Sequence, residues 1–173
     1  LDEEGARAAI RELVEKDGVE ALAIVSYLGC RNPEHEFRLR EIAGEVCALP
    51  TVCGHELSAE LDSLRRATTA ALNAKIAPVV VELTKAVKQK LSDAGAKCQL
   101  VVVRADGSLV CAEEAARRPV EMILSGPAAS LCGAFALTGE ENAVVIDIGG
   151  TTSDVALLRD GRPLQGAGGA VVG

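Results

Sequence analysis

Two apolar segments, Ala143–Ile148 and residues 153–158, are separated only by Gly149-Gly150-Thr151-Thr152. Four residues cannot make the crossover that parallel strands need, so two strands here must pair as an antiparallel hairpin. That turn also concentrates polar chemistry. An apolar strand delivers Asp147, two glycines permit a tight turn with close backbone approach, and two threonines, Ser153 and Asp154 follow. Glycine amides with no side chain in the way can point at phosphate oxygens, and threonine hydroxyls add donors. A carboxylate at the strand end can hold Mg²⁺ on those phosphates, usually through water. On spacing alone, a plain β-turn with Gly-Gly at its tip explains the segment equally well. No Lys follows the glycines, so this is not a Walker A loop, and it does not match GxGxxG.

The rest of the chain alternates helix and strand patterns. Residues 2–16 put Ala6, Ile10, Leu13 and Val14 on one helical face, and Asp17-Gly18 supplies a stop. Residues 20–28 read as a short buried strand. Asn32 then caps a helix with Pro33 at its first position, and Phe37, Ile42 and Val46 share one side. Residues 49–53 make a second strand. Ser58 is expected to cap a long helical region whose inward positions run Leu61, Leu64, Thr68, Leu72, Ile76, Val80, Leu83, Val87 and Leu91. Pro78 should divide or kink this region and Gly95 should end it. A strand at 99–104, an Asp106-Gly107 turn, a helix at 113–118, a strand at 120–124 and a helix at 127–137 complete the order before the hairpin. Asp160-Gly161 makes a further hairpin turn. The pattern predicts an α/β layered fold whose last part turns antiparallel.

Composition narrows the function. The 173 residues suit one compact unit or two small lobes, and a 49% hydrophobic, 25% charged chain is neither disordered nor a coiled-coil rod. A net charge of −7 argues against nucleic acid or an anionic membrane as the main partner. Aromatics are only 2%, which excludes stacking platforms for single strands and leaves Ala, Val and Leu to build the core. No secretory signal is read at Leu1-Asp2-Glu3-Glu4, and the apolar stretch 120–139 is broken by Gly126-Pro127. The six cysteines form no CxxC pair. Cys53-Gly54-His55 is the nearest approach to a ligand cluster and is too sparse by itself for a tetrahedral site, so buried thiols in a reducing cytoplasm are expected.

The small-residue helix that precedes the hairpin resembles the one before the second phosphate loop of the actin, hexokinase and heat-shock chaperone superfamily. More narrowly, LSGPAAS at 124–130 followed by VVIDIGGTTSDVALL at 144–158 resembles the hydantoinase A/5-oxoprolinase family. NPEHE at 32–36 and RRATTAALNAKIAP at 65–78 are similar to that family's upstream segments, in the same order. Two features depart from it. Arg104-Ala105-Asp106-Gly107-Ser108 stands where the family carries an Asn-Gly-Gly turn, and no glycine-rich phosphate loop precedes Ala21.

The resemblance implies an actin-like ATPase (ribonuclease H-like) fold and a fragment of a longer protein. Residues 1–138 would be the C-terminal part of a first domain with its hinge helix, and 139–173 the start of a second with the phosphate loop. It implies an ATP-dependent hydrolase that opens cyclic amides of the hydantoin or 5-oxoproline type through carbonyl phosphorylation, in the cytoplasm, with ATP and Mg²⁺. The alternatives from other classes are a nucleotide-dependent scaffold and a small-molecule kinase. On this reading Gly149, Gly150, Thr151 and Thr152 hold β/γ-phosphates. Asp147 orients the metal or the attacking group, and Asp154 braces the loop or assists the metal. The implied partners are a small cyclic amide and a second hydantoinase subunit or another copy of the chain, with no nucleic acid and no membrane. The fragment alone should be inactive, because half of a two-sided clamp leaves phosphate charge facing water. His35 reads as a surface residue, Arg65, Arg66, Thr68, Thr69 and Asn73 as a solvated helix face, and Cys132 as packing.

Overall fold

The computed structural model describes residues 1–164. The chain divides into two compact units, Leu1–Glu82 and Leu83–Gly173.

In the first unit, α1 (Glu3–Lys16) starts on Asp2, whose carboxylate accepts the Gly5 N–H at 2.9 Å. After α1 come β1 (Leu22–Ile24), α2 (Glu34–Val46), β2 (Thr51–Cys53), the short α3 (Gly54–Leu57) and α4 (Ser63–Asp93), whose last residues belong to the second unit. β1 and β2 pair in parallel, with Leu22 opposite Thr51 and Ile24 opposite Cys53. Only three residues of the 20–28 run are strand. The chain then turns, with Gly29 N–H bonded to Ser26 O and Arg31 N–H to Leu28 O, which leaves Tyr27 77% exposed. Ile10, Leu22, Ile42 and Ala43 form the core, flanked by Val14, Val19, Val46 and Cys47. Leu13 lies outside it, and so does Phe37, whose ring instead meets His55 edge-on with centroids 4.7 Å apart.

Three helix signals act differently from the sequence reading. Pro33 occupies the cap position of α2, and Asn32 sits one residue further out, where Oδ1 accepts the Glu34 N–H at 3.1 Å. Asp62, not Ser58, caps α4. Its Oδ1 takes the N–H groups of Leu64 and Arg65 at 3.0 and 3.1 Å, while Ser58 closes α3. Asp62 wins because it directly precedes the helix, within reach of the second and third amides. α4 then runs as one element through Pro78 and stops before Gly95, which has φ +72°.

The buried face of α4 is the main correction. Leu61, Leu64 and Leu83 are exposed, whereas Arg66, Ala70, Asn73 and Ala74 are buried. The face expected to be solvated is therefore turned inward at Arg66 and Asn73. Arg66 is drawn in because its Nη2 donates to Ser26 O and Tyr27 O, both at 2.8 Å, and its Nη1 bonds Glu60 O.

The second unit holds two antiparallel sheets. β3 (Val101–Val103) and β4 (Leu109–Cys111) are joined by the predicted Asp106-Gly107 turn. Gly107 has φ +82°, and a Cβ there would lie 2.8 Å from Cys132 Sγ, so the turn accepts only glycine. Cys132 packs on this turn as expected. α5 (Ala112–Arg117) leads to Pro119–Met122, a 3-10 turn where a strand over 120–124 was expected. Pro119 has no N–H for a ladder, the Glu121 N–H bonds Arg118 O, and Leu124 adopts φ +65°, so the apolar run coils. α6 (Ser125–Thr138), β5 (Ala143–Ile148), β6 (Ser153–Arg159) and β7 (Arg162–Pro163) follow, with the strands in the order β5-β6-β7. α6 packs on this sheet, while Val144, Ile146, Ile148, Val155 and Leu157 are exposed.

An ion-pair cluster ties α1 to α2. Arg38 grips Glu3 through Nε–Oε1 at 2.8 Å and Nη2–Oε2 at 2.7 Å, and Arg7 reaches the same carboxylate at 3.3 Å. The hydrogen bonds from Arg38 hold the Glu3 carboxyl at about 2, against an ordinary 4.5. A carboxyl depressed on folding stabilises above its unfolded value and loses that contribution as pH falls through the folded one. The wild-type advantage over Glu3→Gln in urea midpoint should therefore be complete at neutral pH. It should shrink below 4.5 and vanish near 2, and an advantage independent of pH would remove the ion pair from the account.

Candidate functional site

The β5–β6 register sets the geometry of the GGTT turn. Ala143 lies opposite Leu158, Ile146 opposite Val155, Asp147 opposite Asp154 and Ile148 opposite Ser153. The two acids flank the turn from facing positions. Strand alternation puts them on the same face as Val145 and Ala156, and Ile146 and Ile148 on the other. Like charges directly opposite one another on a sheet cost free energy, so the pairing favours a cation or a set of donors at this place. One donor comes from α6: Ser130 Oγ gives its hydrogen to Asp147 Oδ2 at 2.7 Å. Sequence reasoning did not single out Ser130, because only the packing of α6 on the sheet brings it to Asp147.

The turn itself is closed by the Gly149 N–H bonding Thr152 O at 2.9 Å. Neither Gly149 nor Gly150 has a positive φ, so the turn does not need glycine for its backbone conformation. A Cβ on Gly150 would meet nothing within 4 Å, and residues 147 to 154 are all exposed. The structure thus brings together Asp147, Gly149, Gly150, Thr151, Thr152 and Asp154 on one exposed turn. The missing side chain at Gly150 leaves the backbone there open to approach, while the Gly149 N–H is taken up by Thr152 O.

The first unit carries a second polar cluster at the carboxyl ends of β1 and β2. Glu36 is fully buried. Its Oε1 accepts Ser26 N–H at 2.8 Å and Ser26 Oγ at 3.2 Å, and its Oε2 accepts His55 N–H at 3.0 Å and lies 2.6 Å from His55 Nδ1. Burial pushes this carboxyl up, but the bonds from Ser26 and His55 outweigh it and leave it below the ordinary range. Cys53 is also buried, which raises its thiol although Arg40 Nε stands 3.2 Å from Sγ and pulls the other way. Glu36 was not expected to matter. Its only sequence signal was its place in NPEHE, one residue past His35, which is exposed.

Arg66 holds the loop after β1 from the opposite side to Glu36, since it binds the carbonyls of Ser26 and Tyr27 while Glu36 takes the Ser26 N–H. Arg66→Leu would take the donors from two carbonyls in a part-buried setting, where each lost bond costs about 1 kcal/mol. Chemical denaturation should show a loss of roughly 2 kcal/mol. A loss within about 0.5 kcal/mol, typical of solvated positions, would contradict the burial of this face.

Comparison with known proteins places these features. The family model described as Hydantoinase/oxoprolinase matches residues 66–171. Caprolactamase subunit alpha of Pseudomonas jessenii is 33% identical over 94% of this chain and 24% of its own length. The crystal structure of ATP-dependent caprolactamase from Pseudomonas jessenii superposes with a TM-score of 0.78 at 28% identity, covering 91% of this chain and 23% of that one. Nucleotide-free acetone carboxylase superposes with a TM-score of 0.72 at 27% identity, over 93% of this chain and 23% of that one. The chain spans about a quarter of the length of these proteins. The fold is the layered α/β fold of the actin-like ATPase type that these structures share.

Proposed function

The chain belongs to the hydantoinase/oxoprolinase family, and from that premise we propose that its intact parent opens a cyclic amide of the hydantoin or 5-oxoproline type at the expense of ATP. An amide carbonyl is a poor electrophile. Transfer of the terminal phosphoryl group to its oxygen makes the carbon open to water. Catalysis of this kind is mostly positioning and charge stabilisation of the transferring oxygens.

Residues 149–152 suit that task. The amide of Gly150 and the hydroxyls of Thr151 and Thr152 bind the β/γ-phosphate oxygens, while Gly149, whose N–H closes the turn on Thr152 O, shapes the loop that presents them. Asp147 orients the metal or the attacking group, and Asp154 supports it from the facing strand. The all-oxygen donor set of two opposed carboxylates suits Mg²⁺, a hard cation that keeps several waters, and the ion would supply charge neutralisation for the phosphates. Ser130 fixes the orientation of Asp147. The observation that carries this reading is the register of Asp147 with Asp154 around an exposed turn in which a Cβ at Gly150 would meet nothing within 4 Å among the described residues.

The wider assignments rest on the same family membership. Residues 1–138 are the end of a first actin-like domain with its hinge helix, and 139–173 the start of a second. A second subunit is the expected partner, since the caprolactamase relative is itself named as a subunit. The six cysteines are free, which suits a reducing cytoplasm. No helix among the described residues is long and apolar enough to cross a membrane.

In the intact parent, Asp147→Asn should lower ATP-dependent ring opening of 5-oxoproline or hydantoin by at least about 100-fold while the protein stays folded. Unchanged turnover would overturn the assignment of Asp147. Accumulation of a stable phosphorylated product would make the parent a kinase, and nucleotide-driven shape change without turnover would make it a scaffold.

A further inference from the structure

Glu36, Cys53 and His55 each place one donor atom within 4.8 Å of the other two, at the carboxyl ends of β1 and β2. We propose that these three side chains, all from the first unit, form a largely buried site for a divalent transition metal of the zinc class. The sequence offered only Cys53-Gly54-His55. The fold adds Glu36 from α2 and turns a two-residue fragment into a three-ligand set.

The donor types choose the metal. One thiolate sulfur, one imidazole nitrogen and one carboxylate oxygen suit borderline ions such as Zn²⁺ or Co²⁺, and they are a poor match for Mg²⁺ or Ca²⁺. Three protein ligands leave one tetrahedral position for water or an added ligand. His55 Nδ1 and Glu36 Oε2 lie 2.6 Å apart, at hydrogen-bond distance. Binding one ion at about 2.0 Å to both atoms needs a separation near 3.3 Å, a shift of less than about 1 Å.

The surroundings are those of ligands already held in place. Ser26 N–H and Oγ fix Oε1 of Glu36, the His55 N–H fixes Oε2, and Arg40 Nε approaches Cys53 Sγ at 3.2 Å. Outer hydrogen bonds of this kind orient metal ligands. A Cβ on Gly29 would lie 1.9 Å from Glu36 Oε1, so the loop after β1 leaves its space to this carboxylate. Charge also balances. Glu36, Glu56, which pairs with Arg40 at 2.7 Å, and a Cys53 thiolate carry three negative charges against Arg40 and a divalent ion. Binding releases the thiol proton of Cys53.

The test is titration of the full chain, reduced, with Co²⁺ as the probe, read by metal content and by the thiolate-to-cobalt charge-transfer and tetrahedral d–d bands. One cobalt per chain is expected, with the charge-transfer band lost in Cys53→Ser and retained in Cys47→Ser and in Asp147→Asn. His55→Gln should weaken binding at least as much as the loss of an outer partner, about 10–100-fold. Circular dichroism establishes that each variant is folded. Should Cys53→Ser fail to fold, the wild-type stoichiometry and His55→Gln still decide. A folded wild-type chain that retains no cobalt, a charge-transfer band that survives in folded Cys53→Ser, or unchanged affinity in folded His55→Gln would overturn the proposal.

Discussion

Antiparallel pairing of β5 with β6 is the constraint on which the proposed chemistry depends. With only four residues between the strands, the register has almost no freedom, and it is this register that sets Asp147 opposite Asp154. A slip of one residue between the strands would carry Asp154 to the face opposite Asp147 and abolish their pairing. The apolar residues of β5 and β6 therefore act as more than core material. Val145, Ala156 and Leu158 are covered to different degrees, Leu158 almost completely, and this buried face determines on which side the carboxylates emerge. Two like charges held in facing positions are costly by themselves, a cost that the proposed cation would offset.

The first unit solves a different problem. With 2% aromatics the chain has few large apolar side chains, and Arg66, Glu36 and Asn73 are among the largest side chains fully buried in the chain. Buried polar groups of this kind are tolerable only when they are hydrogen-bonded, and Glu36 and Arg66 each bind several partners. Both converge on Ser26, one through its N–H and the other through its carbonyl, so the loop after β1 is fixed from two directions. The ends of parallel strands are where α/β folds place ligands. A rigid polar cluster at such a place is consistent with a binding role for Glu36, Cys53 and His55.

Much of this could be read from the sequence, and the failures have physical causes. Local signals were enough for α1, for both glycine turns and for the β5–β6 hairpin, because each is fixed by neighbours a few residues away. Apolar pattern misled at α4, where Leu61 and Leu64 face solvent and Arg66 lies inside, since the carbonyls that attract Arg66 are some forty residues distant. Composition also misled at 120–124. An apolar run bounded by Pro119 and a left-handed Leu124 coils, while the same residues elsewhere would extend. Cys53-Gly54-His55 was visible, but Glu36 became its neighbour only through the packing of α2 on β2. The carboxylate-flanked turn was legible because its residues are contiguous, and the cluster in the first unit was not, because its residues come from separate elements.

The most direct measurement is a crystal structure of the intact parent enzyme with ADP, Mg²⁺ and a mimic of the terminal phosphate. Oxygens of the mimic should lie about 3 Å from the amide nitrogen of Gly150 and from a hydroxyl of Thr151 or Thr152, with Asp147 directed at the metal or its waters. A nucleotide bound elsewhere, with the turn between β5 and β6 facing only solvent, would contradict the account.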